Sequence, residues 1–194
     1  MDAEAHHLAI YNFGLHIGPE GDPRIEGFVL REPTNFEAAA RSHGFVARSG
    51  YRGVPGPRSW GRQVFPRFIE GSGETSGPSQ LSLWTDMESL MAFSYGGVHA
   101  DALKHARNWN VRQSWPPLVL WWVRAGHIPD WEEAASRLEY LHDHGATAHA
   151  FTFKEPFTAS GEACAIDRER VRTITKDNAA RQGELLEHVL SLKV

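Results

Sequence analysis

The order of strand-like and helix-like segments constrains this chain more than any single motif. Leu8-Ala-Ile-Tyr-Asn-Phe-Gly14 has the β-branched and aromatic content of a half-buried strand. Pro23 opens a helical stretch through Ile25, Phe28 and Val29. Pro33 lacks an amide donor, which predicts a kink or two short helices before Phe36 to Arg41. Gly44 is a stop, and Phe45-Val-Ala reads as a second strand, Leu81-Ser-Leu-Trp84 as a third. Asp86 can cap a helix whose Met87, Leu90, Met91, Tyr95 and Val98 fall near one face. Gly96-Gly97 breaks that helix, and a second segment runs from about Val98 to Asn110. Leu118-Val-Leu-Trp-Trp-Val123 then reads as a strand covered on both faces. The order β-α-β-β-α-β is the ferredoxin-like pattern, an α+β fold with an antiparallel sheet and helices on one face. The other face needs a cover, and a second copy of the sheet supplies one, which predicts a dimeric α+β barrel.

Further along, Asp130 and Glu133 have the spacing of a capping box. The helix they open carries Ala134, Leu138 and Leu141, holds His142 and His144 in its last turn, and stops at Gly145. His149 to Phe153 reads as a last short strand and Thr158 to Ile166 as a linker. A final helix, about Arg168 to Lys193, shows an apolar stripe of Val171, Ile174, Leu185, Leu186, Val189 and Leu192. That stripe predicts packing on a partner subunit or over the barrel. The division is a barrel domain over 1–156, with an insertion at 49–79, and a linker with C-terminal helix over 157–194. The insertion is dense in Gly and Pro, with Val64 to Ile69 as a strand fragment. It reads either as a segment folded over a binding site or as a mobile solvent loop.

Composition excludes several classes. The formal net charge is −4, with 20 scattered Lys and Arg against 24 Asp and Glu, which disfavours a nucleic-acid partner. Cys164 is the single cysteine, so neither an internal disulfide nor a cysteine zinc site can form, and a reducing cytoplasm fits. Met1 to His7 lacks the cationic start and apolar stretch of a signal peptide, and His6-His7 reads as a frayed terminus. The apolar run at Leu118 falls far short of the ~20 residues that span a bilayer, so no membrane association is expected.

Three blocks resemble a known family. Leu81 to His99 follows the pattern S-x-W-x-(D/S)-x-E-x-L-x-x-F-x-Y-x-x-x-H; Leu118 to Pro129 follows L-V-L-W-W-V-P-A-G-H-x-P; Ala134 to Phe153 follows A-x-x-R-L-E-x-L-x-x-H-G-x-T-x-x-A-F-T-F. Together they resemble the domain of unknown function 3291 family, related to the antibiotic-biosynthesis monooxygenase-like dimeric α+β barrels. The resemblance runs from Leu8 to Pro156, weakly through 49–79. Arg124 in place of proline, the Gly96-Gly97 pair and the helix after Ile166 depart from the pattern. The resemblance implies a homodimer whose facing sheets bind small, often aromatic or polyketide-like molecules, in natural-product and antibiotic biosynthesis. Some relatives oxidise these with O₂ and no cofactor; others bind haem.

Candidate site residues follow from spacing. Tyr95 and His99, four apart, share a face if the helix continues through Gly96-Gly97. His99 then suits a general acid/base and Tyr95 a holder of a substrate oxygen; the alternative is core packing and a backbone bond. Strand alternation puts Ile10 with Asn12, Ser82 with Trp84, and Leu120 with Trp122 and Arg124. Asn12 and Ser82 are polar in apolar strands and need partners, either a ligand or a neighbouring side chain. Arg124 could hold a carboxylate or enolate. Trp84, Trp109 and Trp122, among seven tryptophans, suit stacking on an aromatic substrate as well as core packing. Histidine spacings give no metal set, and a haem ligand, if any, is His99 or His105. The expectation is a monooxygenase-like enzyme or a cyclase/isomerase that needs no cofactor; a haem-dependent barrel and a non-catalytic ligand binder are the alternatives.

Overall fold

The computed structural model describes residues 5–194; Met1 to Glu4 of the leader reading lie outside them. The chain forms two compact units. The first gathers residues up to Leu15, Val46–Thr85 and Gln113–Ile166; the second gathers His16–Phe45, Asp86–Arg112 and Asp167–Val194.

The sheet holds β1 (His6–Phe13), β2 (Phe45–Arg48), β3 (Ser79–Trp84) and β4 (Leu118–Arg124) in the order β2-β3-β1-β4. β1 pairs antiparallel with both β3 and β4, the ferredoxin-like arrangement. His6 and His7 sit opposite Arg124 and Val123 at the start of β1, so this end is paired strand, not a frayed terminus. The register sets Ala9 against Leu83 and Trp121, and Tyr11 against Leu81 and Val119, on one face. Residues opposite one another point the same way, so these side chains form one apolar layer.

That layer is covered by the chain itself. Helix α4 (Trp131–His144) lays Trp131, Ala134, Leu138 and Leu141 on it. Asp130 caps α4 by accepting from the Glu133 amide at 2.8 Å, and Gly145, at φ +74°, ends it where a Cβ would be strained. The 49–79 segment adds Tyr51, Trp60, Val64, Phe65 and Phe68 to the same core. Tyr51 stacks on Trp131 at 5.8 Å and Phe68 on Trp115 at 5.2 Å. These residues pack the segment on the core, while 52–58 and 70–76 stay exposed. Val64 to Ile69 is not a strand: Pro66 cannot donate to a ladder, and Arg67–Ile69 form a 3₁₀ turn. The opposite sheet face is buried too: Leu8 and Leu120 are fully buried, Trp84 1% and Ser82 4% exposed. On the same face Asn12, Gln80, Leu118 and Trp122 are half-buried and Arg124 is exposed. His149 to Phe153 forms isolated bridges, Phe151 with Leu120, Ala150 with Thr147 and Thr152 with Glu155, instead of a strand.

The second unit is helical: α1 (Glu26–Arg41), α2 (Met87–Ser94), α3 (Gly97–Trp109), α5 (Arg168–Arg181) and α6 (Gly183–Ser191). A 3₁₀ turn at Pro23–Ile25 leads into α1, which runs unbroken through Pro33. The proline removes one helical hydrogen bond, and the buried stripe of Gly27, Arg31, Thr34 and Ala38 spans it and holds the helix together. The expected single terminal helix is two, separated at Gln182. Their buried Ile174, Leu185 and Val189 lie in packing against α1, α2 and α3 of the same unit.

Candidate functional site

His99 lies in the first turn of α3. Its Nδ1 is 2.8 Å from the Ser94 carbonyl oxygen. A carbonyl only accepts, so this nitrogen carries the proton and Nε2 keeps its lone pair. The ring lies 4.9 Å from that of Phe93. Burial pushes the His99 pKa below its ordinary value, and the Ser94 carbonyl offsets part of that. The outcome is a neutral, oriented imidazole at neutral pH.

Tyr95 does not share a helix face with His99. It is the C-terminal cap of α2, and its side chain is 58% exposed. Gly96 is extended (φ −123°, ψ 162°) and Gly97 takes φ +48°, so the helix stops between the two residues. A Cβ on Gly96 would stand 2.5 Å from the Ala92 carbonyl oxygen, which is why glycine is needed there.

The strand residues do gather on one sheet face. Ser82 and Leu120 flank Ile10, Trp84 and Trp122 flank Leu8, and Asn12 and Arg124 follow along the same side. The polar groups of Ser82, Trp84 and Trp122 find partners within the chain, however. Trp84 Nε1 donates to Ser82 Oγ at 3.1 Å, and Trp122 Nε1 donates to the Phe157 carbonyl at 2.7 Å. Arg124 is exposed at the strand end and Asn12 is half-buried. Trp109 belongs to the second unit, where its ring meets Phe28 edge-on at 6.2 Å and carries the Arg31 guanidinium at 5.4 Å.

Two polar clusters escaped sequence reasoning. Arg31, only 2% exposed, uses all five of its donors. It bonds Asp101 Oδ2 at 2.9 Å and the carbonyls of Gly27 at 3.0 Å, Lys193 at 2.7 Å, Val189 at 3.4 Å and Leu192 at 3.3 Å. A charge on the buried stripe of α1 was the available signal. The second cluster centres on Glu133. It accepts from Trp121 Nε1 at 2.9 Å, His127 Nε2 at 2.8 Å and Arg137 at 3.2 Å. Arg137 also donates to His149 Nδ1 at 2.7 Å and to its carbonyl at 2.6 Å. Burial and then the Arg137 charge hold the His149 pKa below its usual value. This network ties β4, α4 and the 146–150 turn together. The Glu133 side chain is thereby diverted from the reciprocal bond of a capping box.

For haem, His99 would offer Nε2; His105 has its Nε2 3.5 Å from Asp101, leaving Nδ1. Among the described residues no group of three His, Cys, Asp or Glu is arranged to hold a metal ion, and no helix is long and apolar enough to cross a membrane.

Sheet order and helices define an α+β protein of the ferredoxin-like type. The family model described as Domain of unknown function (DUF3291) matches residues 7–167, and the chain belongs to that family. No curated protein and no solved structure matches it.

Proposed function

We propose that this chain is a small-molecule enzyme of secondary metabolism acting on an aromatic or polyketide-like substrate, with His99 as the general base. The observation that supports this is the His99 ring: neutral, tethered through Nδ1 to Ser94 and with Nε2 left as the proton acceptor. Abstraction of an acidic C–H proton yields a carbanion or enolate. That anion either closes a ring or reacts with O₂, and oxygenation is favoured by the resemblance to monooxygenase-like barrels. No resident cofactor is needed for the proton step. The single cysteine suits a reducing cytoplasm.

The test incubates the full chain in D₂O with a panel of phenolic and β-dicarbonyl compounds. Deuterium incorporation is followed by NMR and O₂ uptake by electrode. His99→Gln should lower the exchange rate by about 10²–10⁴-fold. A folded His99→Gln protein as active as the parent would overturn the assignment.

A further inference from the structure

We infer that the pocket at the α2–α3 junction binds a single neutral hydroxyl oxygen, that of a phenol or enol. The pocket is lined by Phe93, Gly96, Gly97, Thr175, Asn178 and Gln182 among others and has room for about one water. Asn178 is 5% exposed. Its Oδ1 accepts from the His43 amide at 2.9 Å, which fixes the orientation of the side chain. Nδ2 is then a buried donor without a partner. Such a donor costs about 1–3 kcal/mol when left unfilled. The neighbouring polar side chains are spoken for: Gln182 Nε2 donates to the Ala38 carbonyl at 2.9 Å and Ser42 Oγ at 3.0 Å, and Thr175 Oγ1 donates to the Val171 carbonyl at 2.8 Å.

The surroundings select the class of ligand. Gly96, the residue that caps α3, has no side chain to accept from the first-turn amides, so that end offers donors and partial positive charge. An anion would use the same donors. Yet the Ala92 carbonyl of α2 faces Gly96, and Gln182 Oε1 lies 3.5 Å from the position of a Cβ on Gly97. These acceptors offset the positive end, and none of the lining residues is charged. A carboxylate or phosphate would meet repulsion with no cation to balance it. A hydroxyl accepts from Asn178 and donates to one of the two acceptors, and its size matches the space. The hydroxyl rests on the pocket alone; the choice of an aromatic carrier rests on the functional reading above.

The experiment titrates the full-length protein with phenol, toluene and sodium acetate at matched ionic strength. The Asn178 side-chain NH₂ and Gly97 amide NMR signals are followed. Phenol should shift both saturably in the millimolar range, while toluene and acetate should not. Asn178→Ala should weaken phenol binding about tenfold or more. Equal responses to phenol and toluene, or a stronger response to acetate, would overturn the inference, as would unchanged binding by a folded Asn178→Ala. If that variant fails to fold, the phenol–toluene comparison on the parent decides. Binding is read without turnover, so failure here leaves the His99 exchange assay standing, and failure of that assay leaves this site standing.

Discussion

Replacing Arg31 by methionine should be the most damaging single change in the helical unit. Methionine keeps an apolar stem but removes the guanidinium that lies over Trp109 and satisfies Asp101 and four carbonyl oxygens. The Asp101 side chain, 7% exposed, then keeps only His105 at 3.5 Å. Breaking a buried pair from one side costs about 3–5 kcal/mol because the surviving charge stays buried. The carbonyls at the end of α6 lose their donors as well. For a chain of this size each kcal/mol shifts Tm by about 2–4 °C, so a fall of about 6–20 °C is expected. Urea unfolding followed by tryptophan fluorescence and circular dichroism measures it. Asp101→Leu in the Arg31→Met background should recover part of the loss, since removing both charges is often neutral or better. A single variant within 1 kcal/mol of the parent would refute the reasoning, because it would mean the pair is solvated.

Three further outcomes follow from individual contacts. The Tyr11 hydroxyl is fully buried with no hydrogen-bond partner, and burial drives its pKa far up despite the nearby Ser79; Tyr11→Phe should therefore be neutral or stabilising by up to about 1–2 kcal/mol, and a loss above 1 kcal/mol in chemical denaturation would contradict it. Gly96→Ala should destabilise by about 1–3 kcal/mol, since the new Cβ meets the Ala92 carbonyl oxygen at 2.5 Å, and an unchanged Tm would contradict it. The lowered His99 pKa means that the unfolded chain binds this proton more readily than the folded one. Its contribution is present above the unfolded value near 6.5 and is lost as pH falls from there toward the folded value, at no more than about 1.4 kcal/mol per pH unit. His99→Gln should flatten the stability–pH curve in that window, and an unaltered curve would contradict it.

The parts of the fold legible in the sequence were those decided locally. Asp86 caps α2 and Asp130 caps α4 because a carboxylate one step before a helix has nearby amides to accept from. Gly96-Gly97 and Gly145 end helices where a Cβ clashes or is strained. That Ile10 shares a side with Asn12, Ser82 with Trp84, and Trp122 with Arg124 followed from alternation within each strand; that the three sets share one sheet face is set by the register. What stayed hidden depends on distant partners. Arg31 and Asp101 are 70 residues apart. The covering role of 49–79 depends on Phe68 meeting Trp115 and Tyr51 meeting Trp131, contacts that no local pattern announces. For the same reason the polar needs of Ser82 and Trp122 could not be assigned from sequence to a ligand or a neighbour; the neighbours are Trp84 and Phe157. Tyr95 and His99 looked paired because spacing was read through a glycine pair that the backbone uses as a corner.

Everything proposed for catalysis needs His99 to be neutral with its proton on Nδ1. Nitrogen-15 NMR of the histidine rings at pH 7, assigned by comparison with His99→Gln, reads this directly. The account predicts a protonated Nδ1 and a bare Nε2; a charged ring, or a proton on Nε2, would contradict it.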